Sequence, residues 1–132
     1  LSANAIENGI KFAAEIGATV TGLNVVPNLH LLDYQLQILE DTRETLNQAV
    51  KARASAILEV LAKAAQAAGV ECKTEVAVSD HPYKAVIETA EKRGCDLILM
   101  ASHGRRGVGG VLLGSETHRV LTHSKIPVLV LR

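Results

Sequence analysis

The stretch that decides the fold is DLILMASHGRRGVGGVLLGSETHRVLTHSKIPVLVL, residues 96–131. It begins with an apolar run over residues 96–100 and ends with another over residues 127–131, which is typical of strands buried on both faces of a parallel sheet. Between these runs, a glycine-rich loop leads into a short helical segment, residues 115–124. Strand, loop, helix and strand in this order predict a right-handed crossover between parallel strands.

Helix and strand alternate through the rest of the chain as well. Residues 2–16 have apolar positions three and four apart and end at Gly17, which predicts an amphipathic helix. Residues 18–26 are rich in β-branched side chains and stop at Pro27, which predicts a buried strand.

The longest predicted helix follows a loop and ends before Gly69. Asp41 followed by Glu44 resembles a capping box, so the regular helix is expected to begin there, with residues 34–40 as a separate lead-in. Its apolar side chains share one face, which we expect to be buried. That face consists of Leu39, Leu46, Val50, Ile57, Leu61, Ala64 and Ala68.

The alternation continues with a strand over residues 70–78 and a helix that starts at Pro82 and ends at Gly94. Hydrophobic strands alternating with helices predict a single-domain α/β fold with a doubly wound parallel sheet over residues 1–132. Because Leu1 leads directly into the first helix, we expect a further strand before it, at a central position of the sheet. Ligands of such sheets bind beyond the carboxyl ends of the strands.

The composition narrows the possible functions. At 132 residues, with 48% hydrophobic and 21% charged residues, the chain has the size of one globular domain, and no apolar run approaches the roughly 20 residues that cross a bilayer. Aromatic residues make up 2% of the chain, so little is available for stacking on nucleic acid bases. Cys72 and Cys95 form no CxxC pair or metal-spaced cluster. We therefore expect a reducing cytoplasm, no metal site, and neither nucleic acid nor membrane as a partner.

The net charge of +0 hides an asymmetry. Residues 101–132 hold five basic residues and one acidic residue, Glu116, a net charge of +4. Five glycines in their loop allow backbone amides to approach a ligand closely, and Ser115 can cap the next helix. Free amides and a helix dipole favour an anion such as phosphate. The alternatives are that the basic residues form only a solvated surface and that the loop only connects the strand to the helix. The basic residues are Arg105, Arg106, Arg119, Lys125 and Arg132.

Two well-known phosphate motifs do not fit this loop. Residues 109–114 have Walker A spacing, but Ser115 stands where the phosphate-clamping lysine belongs. The dinucleotide fingerprint lacks its third glycine, whose position is taken by Leu112. The loop therefore predicts neither a P-loop hydrolase nor a dinucleotide-binding enzyme.

A hydrolase based on Ser102 is a further interpretation, because this serine directly follows a strand. Its acid could come only from Glu116 and its histidine only from His118 or His123, which lie too near in sequence for the usual architecture. His103 adjoins no carboxylate that could orient it, so we expect it to face a ligand rather than to act as a general base.

The loop residues also resemble a known family. Ala101, Gly104, Gly114 and Ser115 match the nucleotide loop of universal stress proteins, whose pattern is Gly, two residues, Gly, nine residues, Gly and Ser or Thr. Ala101 departs from the pattern, since it replaces the first glycine. Outside the loop, the strand before it and the final strand resemble those of the family, and the resemblance covers nearly the whole chain.

The resemblance implies a five-stranded, flavodoxin-like (Rossmann-like) parallel sheet and a homodimer formed through the last strand. The sequence of that strand also favours pairing, because only Arg132 follows its apolar residues and an exposed edge invites a partner. The strand consists of Val128, Leu129, Val130 and Leu131.

In one branch of the family, the resemblance implies a bound adenine nucleotide: ATP, ADP or AMP, with or without Mg2+. Carried over by position, Gly104, Gly114 and Ser115 would hold the phosphates and ribose. Val25 would present its backbone to adenine, and Met100 would pack near the base. The candidate nucleotide-binding residues are Val25, Met100, Ala101, Ser102, His103, Gly104, Arg105, Arg106, Gly114, Ser115 and Glu116.

We therefore expect a cytoplasmic stress-response protein that binds ATP or AMP and acts as a nucleotide-dependent regulator. It is expected to have no catalytic residues and at most very slow ATP hydrolysis. A dimeric interaction module that binds no nucleotide is the first alternative, and a small hydrolase using Ser102 is the second.

Overall fold

The computed structural model describes residues 3–28, 40–102 and 113–132. Within these ranges, four helices alternate with four strands, which confirms the predicted α/β class, and no helix is long and apolar enough to cross a membrane. In chain order the elements are α1 (Ala3–Ile16), β1 (Val20–Val26), α2 (Glu40–Ala67), β2 (Cys72–Val78), α3 (Pro82–Lys92), β3 (Ile98–Ala101), α4 (Ser115–His123) and β4 (Val128–Leu131).

Glycine and proline residues mark the ends and starts of the helices. Gly17 after α1 has φ of 66° and Gly94 after α3 has φ of 67°, a left-handed conformation that glycine adopts without a Cβ clash. Pro82 is the first residue of α3, where its fixed φ suits the first turn. The helix α2 begins at Glu40, one residue before the predicted start at Asp41, and the rest of the expected lead-in, residues 34–39, lies outside the described residues.

The strands pair in parallel, β1 with β2 and β3 with β4. Val20 lies opposite Cys72 at the start of the first pair, and Ile98 lies opposite Val128 at the start of the second. The described strands therefore form two parallel pairs.

Backbone hydrogen bonds show which edge of β1 faces β2. The N–H of Val20 donates to the carbonyl of Glu71 at 2.8 Å. At the other end of the strand, the N–H of Ser79 donates to the carbonyl of Val26 at 2.9 Å. Because strand residues alternate, the N–H and C=O groups of Val25 lie on the edge away from β2.

The same alternation applies to β3. The N–H of Ile98 donates to the carbonyl of Pro127 at 2.9 Å, and the N–H of Ser102 donates to the carbonyl of Leu131 at 2.6 Å. The backbone groups of Ala101 therefore lie on the edge away from β4.

A cavity of about 1080 Å³ lies between the two strand pairs, lined by β1, β3, α1, α3 and the amino end of α4. The helix α1 approaches β3 closely at Gly9, where a Cβ would lie 3.3 Å from Cδ2 of Leu99.

Two groups of buried side chains hold the helices to the strands. The first joins α1 to α2 and includes Ile10, Leu58 and Ala65. The second joins α3, α4 and β3, and its Val120 is fully buried. Because β1 packs against both α2 and α3, it belongs to the interior between these groups.

The buried stripe of α2 differs from the predicted one. Leu46 is 40% exposed and Ala68 is also exposed, although both were expected in the core. Gly22 of β1 leaves room for Leu58 and Leu61, because an added Cβ there would clash with Leu61, so α2 buries the face that contains these two leucines. The observed stripe is Ala54, Leu58, Leu61 and Ala65, of which only Leu61 was predicted. The predicted Val50, Ile57 and Ala64 are half-buried, and Leu39 lies outside the described residues.

Candidate functional site

The carboxyl end of β3 is joined directly to the amino end of α4. The N–H of Gly114 donates to the carbonyl of Ser102 at 2.7 Å. The hydroxyl of Thr117 donates to the carbonyl of Ala101 at 2.9 Å. These two bonds hold together the residues on either side of residues 103–112.

The amino end of α4 offers backbone donors. Its N-cap residue is Gly114, which has φ of −56° and ψ of 144° and supplies no side-chain cap. The first hydrogen bond within the helix runs from the N–H of His118 to the carbonyl of Gly114, at 2.9 Å. The N–H groups of residues 115–117 therefore have no acceptor within the helix. Together with the helix dipole, they favour an anion.

The structure gathers most of the described candidate residues around this junction. Val25 lies near the carboxyl end of β1 and does not line the cavity, and Ser102 is buried just beyond β3. The candidates that line the cavity are Met100, Ala101, Gly114, Ser115 and Glu116. The candidates His103, Gly104, Arg105 and Arg106 lie outside the described residues.

The carboxylate of Glu116 joins α4 to α3. Its Oε2 accepts a hydrogen bond from the N–H of Tyr83 at 2.9 Å, and its Oε1 accepts one from Nη1 of Arg119 at 2.9 Å. Tyr83 lies in the first turn of α3, whose N-cap residue, His81, supplies no side-chain cap. Glu116 therefore supplies that cap from another helix, while Arg119 offsets its negative charge next to the anion-favouring helix end.

Thr117 is the residue of this junction that the sequence analysis missed. It is 4% exposed, so its hydroxyl is buried against the end of β3. The one signal in the sequence is its spacing of three from Val120, which places both residues on the same face of α4. That signal shows burial but not the hydrogen-bond partner, which lies 16 residues away.

The arrangement disfavours a hydrolase that combines Ser102 with His123. Ser102 is 8% exposed next to the amino end of α4, whereas His123 is the last residue of that helix, about 12 Å along its axis. The Nδ1 atom of His123 lies 2.8 Å from the carbonyl oxygen of Arg119, and its ring centre lies 5.1 Å from that of Tyr83. His123 therefore belongs to the packing between α3 and α4.

The environment of Cys72 does not favour the thiolate form that a nucleophile needs. Burial raises the pKa of its thiol, and this outweighs a hydrogen bond with the backbone of Gly22 that lowers the pKa. A raised pKa reduces the thiolate population on which nucleophilicity depends. Cys72 also starts β2, at the opposite end of the strands from the junction. Across residues 3–28, 40–102 and 113–132, no group of three His, Cys, Asp or Glu side chains could hold a metal ion.

Comparisons with known proteins point to one family. The family model described as "Universal stress protein family" matches residues 1–132. The universal stress protein MJ0531 of Methanocaldococcus jannaschii is 30% identical over 132 residues, which is 100% of this chain and 75% of that protein. The universal stress protein YxiE of Bacillus subtilis is 27% identical, with 100% of this chain and 91% of that protein covered.

Solved structures have the same fold. The structure of MJ0577 has a TM-score of 0.79 at 27% identity and covers 96% of this chain and 84% of its own. A universal stress protein in complex with cAMP has a TM-score of 0.64 at 23% identity, with coverage of 98% and 85%. A universal stress protein from Archaeoglobus fulgidus in complex with dAMP has a TM-score of 0.58 at 15% identity, with coverage of 97% and 85%.

Proposed function

This chain belongs to the universal stress protein family, and from that premise we propose that it binds an adenine nucleotide at the carboxyl end of β3. The nucleotide is ATP, ADP or AMP, with or without Mg2+, and the protein acts as a nucleotide-dependent regulator in the cytoplasm. The observation that carries this proposal is the junction of β3 with α4. There, the amides of residues 115–117 precede the helical ladder within a segment of net charge +4.

Two structural relatives support the class of ligand. One is a complex with cAMP and the other a complex with dAMP, so each holds an adenine base and a phosphate group. In this chain, the amides of Ser115 and its neighbours are suited to the phosphate. The N–H and C=O groups of Val25 lie on the edge of β1 away from β2, where they offer one donor and one acceptor that can pair with the edge of a base.

The charges near the junction favour the same ligand. Glu116 is the only acidic residue in residues 101–132, and its carboxylate already accepts bonds from Tyr83 and Arg119. A phosphate at the amino end of α4 would therefore meet a carboxylate that is partly neutralised. The five basic residues of the segment add long-range attraction, which weakens as salt increases.

Mass spectrometry of the small molecule released when the purified protein is denatured tests this proposal. We expect an adenine nucleotide. Protein that holds no nucleotide, and takes none up when it is incubated with ATP, would instead favour the dimeric interaction module.

We also propose a homodimer in which β4 pairs with β4 of a second copy. The carbonyls of Pro127 and Leu131 accept bonds from β3, so alternation directs the backbone groups of Val128 and Val130 to the other edge of β4. That edge has no strand partner within the described residues. It is therefore a ready template for an antiparallel, two-fold contact.

The Val130→Pro variant is expected to be monomeric. Proline removes an amide from the open edge and adds a steric block, whereas the bonds between β3 and β4 use the alternate residues and remain. Light scattering at tens of micromolar measures the change, with Val130→Thr, which keeps the amide and the side-chain shape, as the control. A monomeric wild-type protein, or a dimeric Val130→Pro variant, would contradict the proposed interface.

We further propose that any ATP hydrolysis is slower than about one turnover per minute, against the ~10 per second typical of enzymes. Ser115 stands where a phosphate-clamping lysine would be needed, and Glu116 is held by Tyr83 and Arg119 rather than free to orient water. A steady-state assay with Mg2+ measures the rate. Turnovers per second that are lost in Ser115→Ala would establish an enzyme instead.

A further inference from the structure

We infer that Thr117 is a positioning residue for the nucleotide site, because its hydroxyl fixes where the amino end of α4 stands relative to the end of β3. It would act through the Ala101 carbonyl and need not touch the ligand. The inference rests on the proposed function, since it concerns how tightly that same site holds phosphate.

The bond of Thr117 supplies the Ala101 carbonyl with a partner that the described strands do not supply. The carbonyl of Ala101 lies on the edge of β3 away from β4, so the bonds between those two strands do not use it. The hydroxyl of Thr117 reaches that carbonyl at 2.9 Å from a side chain that is 4% exposed. A partly buried carbonyl that loses its donor is destabilising, so removal of the hydroxyl favours a shift of α4 away from this position.

The position of this bond connects it to phosphate rather than to the base. Ala101 and Ser102 directly precede residues 103–112, and Gly114 and Thr117 follow them. The bonds from the Thr117 hydroxyl to the Ala101 carbonyl and from the Gly114 N–H to the Ser102 carbonyl thus hold the amino end of α4, with its amides, against the end of β3. The amides of residues 115–117 move with α4, whereas Val25 is held in β1 by its own pairing with β2.

A purely structural role for Thr117 makes a different prediction. Weaker packing alone would lower the thermal stability and would affect ligands with and without phosphate alike. A positioning role lowers the affinity for ATP and leaves the affinity for adenosine unchanged, because adenosine lacks the phosphates that the helix amides would bind. The ratio of the two affinities therefore separates the two roles.

The experiment compares Thr117→Val with Thr117→Ser and with the control Thr122→Val, all in the full chain. Thr122 lies in the same helix and its hydroxyl donates to the carbonyl of His118 at 2.8 Å, but it is exposed and away from the junction. Calorimetric titration with ATP and with adenosine gives both affinities. We expect Thr117→Val to weaken ATP binding about fivefold, as for loss of one net hydrogen bond.

The same titrations should show unchanged adenosine binding in Thr117→Val and near wild-type binding of both ligands in Thr117→Ser and Thr122→Val. Equal ratios of ATP to adenosine affinity in wild type and Thr117→Val would overturn the inference while leaving the proposed function intact. Absence of ATP binding by the wild-type protein would overturn the proposed function itself. If Thr117→Val does not fold, Thr117→Ala provides the same comparison, since it leaves space for water at the Ala101 carbonyl.

Discussion

Gly114→Val is expected to weaken adenine nucleotide binding at least tenfold, about 1.4 kcal/mol. Gly114 directly precedes the amides of residues 115–117, and a branched side chain there would occupy space that phosphate oxygens need. The backbone angles of Gly114, φ of −56° and ψ of 144°, are open to any residue. The variant is therefore expected to fold, with the loss confined to the ligand.

Competition against a fluorescent adenine nucleotide, followed by anisotropy, measures this loss, and circular dichroism checks the fold. Gly114→Ala adds only one methyl group and should lie between wild type and Gly114→Val. Wild-type affinity in a well-folded Gly114→Val protein would remove the amino end of α4 from the nucleotide site.

Ile10→Ala is expected to lower the free energy of unfolding by about 2–5 kcal/mol. Ile10 is 4% exposed and packs in the group of buried side chains that joins α1 to α2. Truncation removes apolar contacts and leaves a cavity that the neighbouring helices can only partly close. Because small domains are stable by about 5–15 kcal/mol, this is a large share of the total.

The matched control is Ile16→Ala, the same substitution in the same helix. Ile16 is 56% exposed, so its loss should change the free energy of unfolding by no more than about 0.5 kcal/mol. Urea denaturation of both variants gives the comparison. Equal destabilisation by the two substitutions would show that α1 does not pack through the face that contains Ile10.

The boundaries of the elements could be predicted because they depend on local chemistry. Gly17 and Gly94 each adopt the left-handed conformation that ends a helix, and Pro82 opens α3. The last two strands were predicted from continuous apolar runs, which are typical of a parallel sheet buried on both faces, and β1 was predicted from its β-branched residues and the Pro27 that follows them. None of these signals depends on a distant part of the chain.

The buried face of α2 could not be chosen from the sequence, because alanines occur on several of its faces. A stripe through Leu46 and Ala68 satisfied helical spacing as well as the observed stripe through Ala54 and Leu58. The choice between them is made by packing against β1 and β2, in which Gly22 of β1 leaves room for Leu61. Periodicity alone contains no information on that fit.

The hydrogen bonds at the candidate site could not be predicted from the sequence, because their partners lie far apart along the chain. Glu116 could be identified as the only acidic residue of its segment, but its partner, the N–H of Tyr83, lies 33 residues away on another helix. Thr117 and Ala101 are likewise brought together only when α4 packs on the end of β3. The glycine-rich loop could be identified because close approach of the backbone to an anion favours glycine, and a cluster of glycines is visible in the sequence itself.

The chain is proposed to bind an adenine nucleotide through the junction of β3 with α4. The most direct test of this proposal is calorimetric titration of the wild-type protein with ATP, in parallel with inorganic phosphate and adenosine. We expect one ATP site per chain, with a higher affinity for ATP than for either fragment, because the base is proposed to contact β1 and the phosphates the amino end of α4. No binding of ATP, or an affinity for ATP no greater than that for phosphate alone, would contradict it.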